Sequence, residues 1–385
     1  MALIPLRPIL DATDKFDYAQ GAFNVNAVCQ AQAVIDVHEM FRSPAILQGA
    51  DLANGFMGGR KDFMNATIED KIIGARNIAN AVKERAKDSF IPIALHLDHG
   101  RDFDSVKAAI DGGYTSVMID GSSLPLDKNI ELTREVVKYA HERGVTVEGE
   151  LGVLAGVEDH VFSAGSTYTN PLHAIKFFKE TKVDALAISY GTMHGANKGK
   201  DAVVRKEIAI SIKECLRHEG IQGVLVSHGS STVPRYIVDE INALGGDIQN
   251  AYGIALNQLK EVSHCGIGKI NVDTDIRLAV TRNLREYFVN NPEAREDKCI
   301  NEIWHLMESN PKAFDPRAFL PPIMDTVMYG NIPNESVREI THLIRKGVME
   351  VVGTLIVEFG QVGKANKVEV KTLDEMAEFY KKEGI

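Results

Sequence analysis

Short apolar runs recur eight times along this chain, each ending in glycine or polar residues, and nothing else in the sequence limits the fold as tightly. They are GAFNVN (21–26), PAILQGA (44–50), IPIALHLD (91–98), SVMIDGS (116–122), TVEGELG (146–152), ALAISYG (185–191), GVLVSHGS (223–230) and IGKINVDTD (267–275). Continuously apolar strands are covered on both faces, as in a parallel sheet. Helical spacing fills the gaps. In NIELTREVVKYAHERG (129–144), Ile130, Leu132, Val136, Val137 and Ala140 share that spacing, and Gly144 supplies a stop. KEIAISIKECLRHEG (206–220) reads the same way. The alternation predicts an α/β fold, a (β/α)8 TIM barrel. An open, doubly wound sheet competes. The barrel is preferred because the polar residues always fall at the carboxyl end, where barrels build their sites.

Past the eighth run, residues 276–335 predict helices with irregular pieces, and ESVREITHLIRKGVMEVVGTLIVEFG (335–360) predicts one long helix. We read 276–385 as an extension of a single domain spanning 1–385, packed on the barrel or on a partner subunit. The net charge of −10, with no basic stripe, argues against nucleic acid. No apolar run approaches the roughly 18 residues of a membrane span, and MALIPLRPILDATDK does not read as a signal peptide. The four cysteines form no CxxC pair and suit reduced thiols, so a cytoplasmic protein is expected.

The strand ends collect the chemistry. They carry His96, Asp98 and His99; Asp120; Glu148 and Glu150; His194 and Gly195; His228, Gly229, Ser230 and Ser231; then Asn271, Val272, Asp273 and Thr274. Taken singly, each histidine is better read as a polar residue near a loop. Three of them, His99, His194 and His228, each followed by glycine and each from a different strand end, fit an open catalytic metal site. His96 lies two residues before Asp98 and so shares its inward face. His99 would point outward unless the strand ends there, and Gly100 suggests that it does. The Gly229–Ser231 and Asn271–Thr274 stretches follow strands seven and eight, where barrels commonly bind phosphate, although Ser, Asp and Thr are equally ordinary helix caps.

Taken in order, GAFNVN, HLDHG, VMIDGS, VEGELG, GTMHGANKG, SHGSS, INVDTDIR and DPRAFL resemble the class II, metal-dependent fructose-bisphosphate aldolases over nearly the whole chain. The resemblance implies a homodimer or homotetramer with Zn2+ held by His99, His194 and His228. It implies Asp98 as the acid/base at the C4 hydroxyl. Asp120 and Glu150 match a site for a second divalent ion. Gly195, the Gly229–Ser231 loop and Asn271–Thr274 match contacts to dihydroxyacetone phosphate, with a monovalent cation nearby. Asn24 matches a further substrate contact, and Lys198, in GANKG, could neutralise charge near the site or equally lie on the surface. LAGVEDHV matches a loop whose Glu158 moves a proton. Arg317 matches an arginine that reaches the distal phosphate from a neighbouring subunit.

The implied activity is cleavage of a ketose 1-phosphate, foremost fructose 1,6-bisphosphate, to dihydroxyacetone phosphate and glyceraldehyde 3-phosphate. Two departures bear on the substrate. Gly49 stands where a serine is expected to meet the aldehyde half, and Met193 precedes His194. Tagatose 1,6-bisphosphate and 6-sulfofructose 1-phosphate are therefore alternatives. Outside aldolases, a metal-dependent sugar-phosphate isomerase or epimerase would want the same ion and phosphate loop.

Overall fold

The computed structural model describes residues 3–158, 161–163, 165 and 167–384, the side chains of 157, 158 and 161–163 excepted. Its strands are β1 (Gln20–Asn24), β2 (Ala45–Ala50), β3 (Ile93–Gly100), β4 (Ser116–Ile119), β5 (Thr146–Leu151), β6 (Gly156–Glu158), β7 (Val161–Ser163), β8 (Ala185–Ile188), β9 (Val224–Ser227) and β10 (Ile267–Val272). Every apolar run of the sequence is one of these strands. All but β6 and β7 close a parallel barrel in the order β1-β10-β9-β8-β5-β4-β3-β2. The pairing of β1 with β10 rules out the open sheet. The exceptions, β6 and β7, form an antiparallel hairpin between β5 and β8.

Strand alternation divides the side chains. Leu47, Leu95, Leu97, Val117, Val147, Leu186 and Leu225 face the helices in the larger core. Ala22, Ile46, Ala94, Met118, Ala185, Ala187 and Val226 fill the inside together with Ile9 and Leu10 of the helix Arg7–Phe16, which plugs the floor, and with its N-cap Leu6. The same alternation carried toward the carboxyl ends turns polar side chains inward: Asn24, Gln48, His96, Asp98, Glu148, Glu150, Lys269 and Asn271.

Below, the floor is tied by one carboxylate. Asp184, just before β8, accepts from Arg7 Nη1 at 2.7 Å, Tyr380 Oη at 2.9 Å and the Val147 amide at 2.7 Å, and lies 3.0 Å from His141 Nε2. Tyr380 stacks on His141 at 3.6 Å. Burial opposes the ionised form, but His141 and Arg7 prevail and hold Asp184 down at about 2. The chain's first helix and its last, Leu373–Glu383, thus meet on one residue.

Past β10 the helix Thr274–Asn290 packs against the helix Glu335–Glu358, which also covers the helix Val28–Phe41. Asn334 caps the long helix by accepting from the Val337 amide. Among the described residues no helix is long and apolar enough to cross a membrane.

Candidate active site

The carboxyl mouth of the barrel gathers the imidazoles. The ring centroid of His99 lies 4.8 Å from that of His228 and 5.1 Å from that of His194, while His194 and His228 are 6.5 Å apart. All three are buried. His99 gets there by an unexpected route. β3 does not end at His99 but runs to Gly100, and its register against β4 breaks between Leu97 and Gly100. Inside that break His99 takes φ +50°, left-handed backbone that few residues with a side chain adopt. The irregularity, not a strand end, brings the ring to the mouth.

Two ring nitrogens have defined partners. His99 Nδ1 lies 3.2 Å from Asp120 Oδ2, and His228 Nε2 lies 2.8 Å from Glu148 Oε1. A carboxylate only accepts, so these two nitrogens carry the hydrogens. The opposite nitrogens, His99 Nε2 and His228 Nδ1, then face each other at 3.1 Å. On a tetrahedral zinc with Zn–N bonds of 2.0–2.1 Å two nitrogens stand about 3.3 Å apart, so this pair fits one ion. Donor atoms of Asp98, His99 and His228 all lie within 4.8 Å of one another, and so do those of His99, Asp120 and Glu150. His99 belongs to both groups. His194 flanks them.

The charges are set by the same contacts. Burial disfavours a charged His99 ring, but Asp98, Asp120 and Glu150 outweigh it and hold the pKa well above the usual histidine value. Burial likewise works against ionised Asp120, yet the His99 hydrogen bond keeps its pKa low. Glu150 has no such donor: Oε2 is buried without a hydrogen-bond partner, and burial, then Asp120, push its pKa well up. A divalent ion would satisfy this oxygen and replace the proton between the rings.

This has a consequence for stability. His99 and Glu150 hold protons more tightly folded than unfolded. Their stabilisation is complete below the ordinary values, about 4.3 for glutamate and 6.5 for histidine, and is lost as pH rises through the raised folded values. Metal-free protein is expected to lose Tm progressively as pH rises, first above about 4.3 through Glu150 and then above about 6.5 through His99, while metal-loaded protein holds its Tm. Scanning calorimetry of both forms checks this; parallel pH profiles would refute it.

Asp98 is held by two amides. Asn24 Nδ2 donates to one oxygen at 2.9 Å and Asn271 Nδ2 to the other at 3.1 Å, with Gln48 Nε2 on Asn24 Oδ1 at 2.6 Å. His96 does not join the donor group. Its Nδ1 contacts Ser116 Oγ at 2.8 Å and its Nε2 is 3.6 Å from Glu148 Oε2. Burial, then Lys269, holds its pKa well below the usual value, so it is neutral.

The loops after β9 and β10 knit together. Ser231 Oγ accepts from the amides of Asp273 and Thr274 at 3.3 and 3.1 Å, and Asp275 accepts from Thr232 and Val233. The helix-cap chemistry seen in the sequence is thus real for Ser231. Gly229 takes φ +60° with its Cα against Met193, where a Cβ would meet the Met193 carbonyl at 2.4 Å. Lys198 is buried, not a surface lysine, and its ammonium donates to the carbonyls of Met193 and Gly195, either side of His194.

Four of the expected site residues are placed as follows. Gly49 does not line the mouth: a Cβ there would meet Tyr114 Oη at 2.0 Å on the helix side. By alternation with Ile46 and Gln48 the inward position is that of Ala50, level with Asp98 in the β2–β3 register. The Val272 side chain packs in the outer core, because it alternates with Asn271. Ser230 Oγ turns down onto Ser227 Oγ at 2.6 Å, away from the mouth. Arg317 is buried on its own chain's Asp315 and over the Phe63 ring at 4.5 Å; Asp315 also binds Arg277, whose other end holds Asp273.

Glu158 ends β6, and its side chain lies outside the described residues. The backbone before it is anchored to the site. Gly156 bridges His194, whose amide donates to the Ala155 carbonyl at 2.9 Å. Sequence reading collected Glu148 at a strand end without giving it a role and passed over Lys269; the two lie one inward step below Glu150 and Asn271. The signal was there, a lysine inside an apolar run (IGKINV).

A closed parallel barrel with this donor group at its carboxyl mouth is the architecture of a metal-assisted barrel enzyme. The chain belongs to the class II fructose-bisphosphate aldolase family, whose model (Fructose-bisphosphate aldolase class-II) matches residues 4–364. It is therefore a lyase-family chain whose relatives are metal-dependent and act on sugar phosphates. A "Fructose-bisphosphate aldolase" of Giardia intestinalis is 36% identical over 382 residues, covering 99% of this chain and 100% of the relative. One of Thermus caldophilus is 36% identical over 350 residues, covering 90% and 95%. Among solved structures, the YdjI aldolase from Escherichia coli K12 superposes with a TM-score of 0.63 at 24% identity, covering 94% of this chain and 99% of that one. The Campylobacter jejuni fructose-bisphosphate aldolase gives 0.66 at 20%, covering 94% and 97%. These two structures share the barrel fold.

Proposed function

We propose that this chain is a zinc-dependent aldolase that reversibly cleaves a ketose 1-phosphate between C3 and C4, with fructose 1,6-bisphosphate as its foremost substrate. The observation that carries this reading is the meeting of three imidazoles with an amide-clamped carboxylate, Asp98, at one barrel mouth. The names of the relatives support the substrate.

His99, His194 and His228 would hold the ion, with Asp120 and Glu150 available to a second position. When bound, the ion supplies a Lewis acid for the ketose oxygens, which favours charge development beside the C2 carbonyl. Asp98 removes the C4 hydroxyl proton as the C3–C4 bond breaks. Its two amide partners aim both oxygens without supplying a proton of their own to the reaction. Glu158 returns a proton at C3, completing dihydroxyacetone phosphate; the tether of its strand to His194 supports that role. Backbone N–H groups around Gly229 and the Asn271–Thr274 turn suit the C1 phosphate, with Lys198 adding positive charge next to His194.

The distal half of the substrate passes Ala50 rather than Gly49. Ala50 offers a methyl group and no hydrogen bond, so discrimination there rests on shape. The test is kcat/KM for fructose 1,6-bisphosphate, tagatose 1,6-bisphosphate and 6-sulfofructose 1-phosphate, a direct measure of differential transition-state binding. Fructose 1,6-bisphosphate is expected to lead. A higher value for either competitor would replace it as the substrate, and conversion without triose formation would remove the aldolase reading.

A further inference from the structure

Two buried ionic side chains beneath the mouth take no part in the steps above. Glu148 of β5 and Lys269 of β10 face each other across the barrel at 2.9 Å, and both are fully enclosed. An enclosed ion pair is costly to desolvate and is weak support for stability by itself. Apolar side chains, among them Met118, Ala187 and Val226, also fill the inside of the barrel, so packing alone does not call for an ion pair here. The second oxygen of Glu148 explains the arrangement: it reaches His228 Nε2 at 2.8 Å.

That contact determines which nitrogen His228 offers. Asn271 Nδ2 also lies 3.2 Å from His228 Nε2, but it is a donor turned to Asp98. The hydrogen on Nε2 therefore goes to Glu148, and the lone pair stands on Nδ1, 3.1 Å from His99 Nε2. Without Glu148, nothing would prevent the opposite tautomer, with N–H aimed into the donor group. Lys269 holds Glu148 from the other side, and His96, fixed by Ser116, closes the remaining flank at 3.6 Å.

We propose that Glu148 and Lys269 are positioning residues that lock His228 as its Nε2–H tautomer and present Nδ1 to the metal. This rests on the reading of His228 as a ligand. Partners of metal-bound histidines typically change metal affinity by roughly 10–100-fold when removed.

The test measures zinc affinity of the folded protein by competition with a chromophoric chelator, alongside the imidazole ring 15N signals of the zinc-loaded protein. Glu148→Gln and Lys269→Met are each expected to weaken zinc binding, Glu148→Gln by roughly 10–100-fold. In a His228→Ala background, Glu148→Gln should have no further effect, because the two residues act through one ring. The wild-type ring should show hydrogen on Nε2. If Glu148→Gln fails to fold, Glu148→Asp keeps the charge beside Lys269 while withdrawing oxygen from Nε2, and should weaken zinc in the same direction. Wild-type affinity in a folded Glu148 variant, an undiminished effect without His228, or a hydrogen on Nδ1 would overturn the proposal. An unchanged affinity in His228→Ala alone would instead overturn the ligand reading beneath it.

Discussion

Asp98→Ala is expected to lower kcat for carbon–carbon cleavage by roughly 10²–10⁴-fold, the usual worth of a positioned general acid–base group, while zinc stays bound. The second half of that statement is the more demanding. Asp98 lies in a donor group with His99 and His228 and could be mistaken for a ligand. Its oxygens are already engaged, one by Asn24 and the other by Asn271. Amide donors on both oxygens fix the orientation of the carboxylate, which suits its proposed role at a substrate hydroxyl. The variant should still exchange the C3 proton of dihydroxyacetone phosphate with solvent, since the proposed mechanism gives that step to Glu158. Metal content, the cleavage rate and the exchange rate together decide the matter. Normal cleavage would show the role misassigned, and loss of zinc would make Asp98 a ligand.

Removing the metal is expected to have the largest effect, loss of cleavage to the background rate, with recovery on adding zinc. The physical cause lies in the charge that forms beside C2 as the bond breaks. The described residues around the rings are mostly acids, Asp98, Asp120 and Glu150, which would oppose such charge. Without an ion the pocket is electrostatically wrong for the transition state. His99→Ala should lose metal and activity together, because His99 is shared by both donor groups. Exhaustive chelation followed by undiminished turnover would end the metal mechanism.

The barrel was legible because parallel strands buried on both faces leave continuous apolar runs, and polar residues at each carboxyl end mark the mouth. The long terminal helix, expected over 335–360 and found over Glu335–Glu358, was legible from its spacing and the asparagine before it. The site was legible as a set of residue types but not as contacts. Alternation correctly turned His96 and Asp98 inward, but His99 was brought to the mouth by an expected strand end where the structure has a register break in β3, which leaves no local signature beyond a glycine. One place along β2 separates Gly49 from Ala50, and that single step moves a side chain from the mouth to the helix layer. Glu148 and Lys269 meet across the full width of the barrel, 121 positions apart in sequence, which no strand read alone reveals.

Asp184 gives the floor of the barrel a temporal meaning. The carboxylate is shared by Arg7 and Tyr380, which are far apart in sequence. While the protein is being made, the plug helix meets an acceptor whose other ligand has not yet emerged from the ribosome. The Arg7 contact can form as soon as Asp184 is made, but the floor is complete only once Tyr380 has joined it. Ordering of the helix Arg7–Phe16 is thereby coupled to docking of the helix Leu373–Glu383.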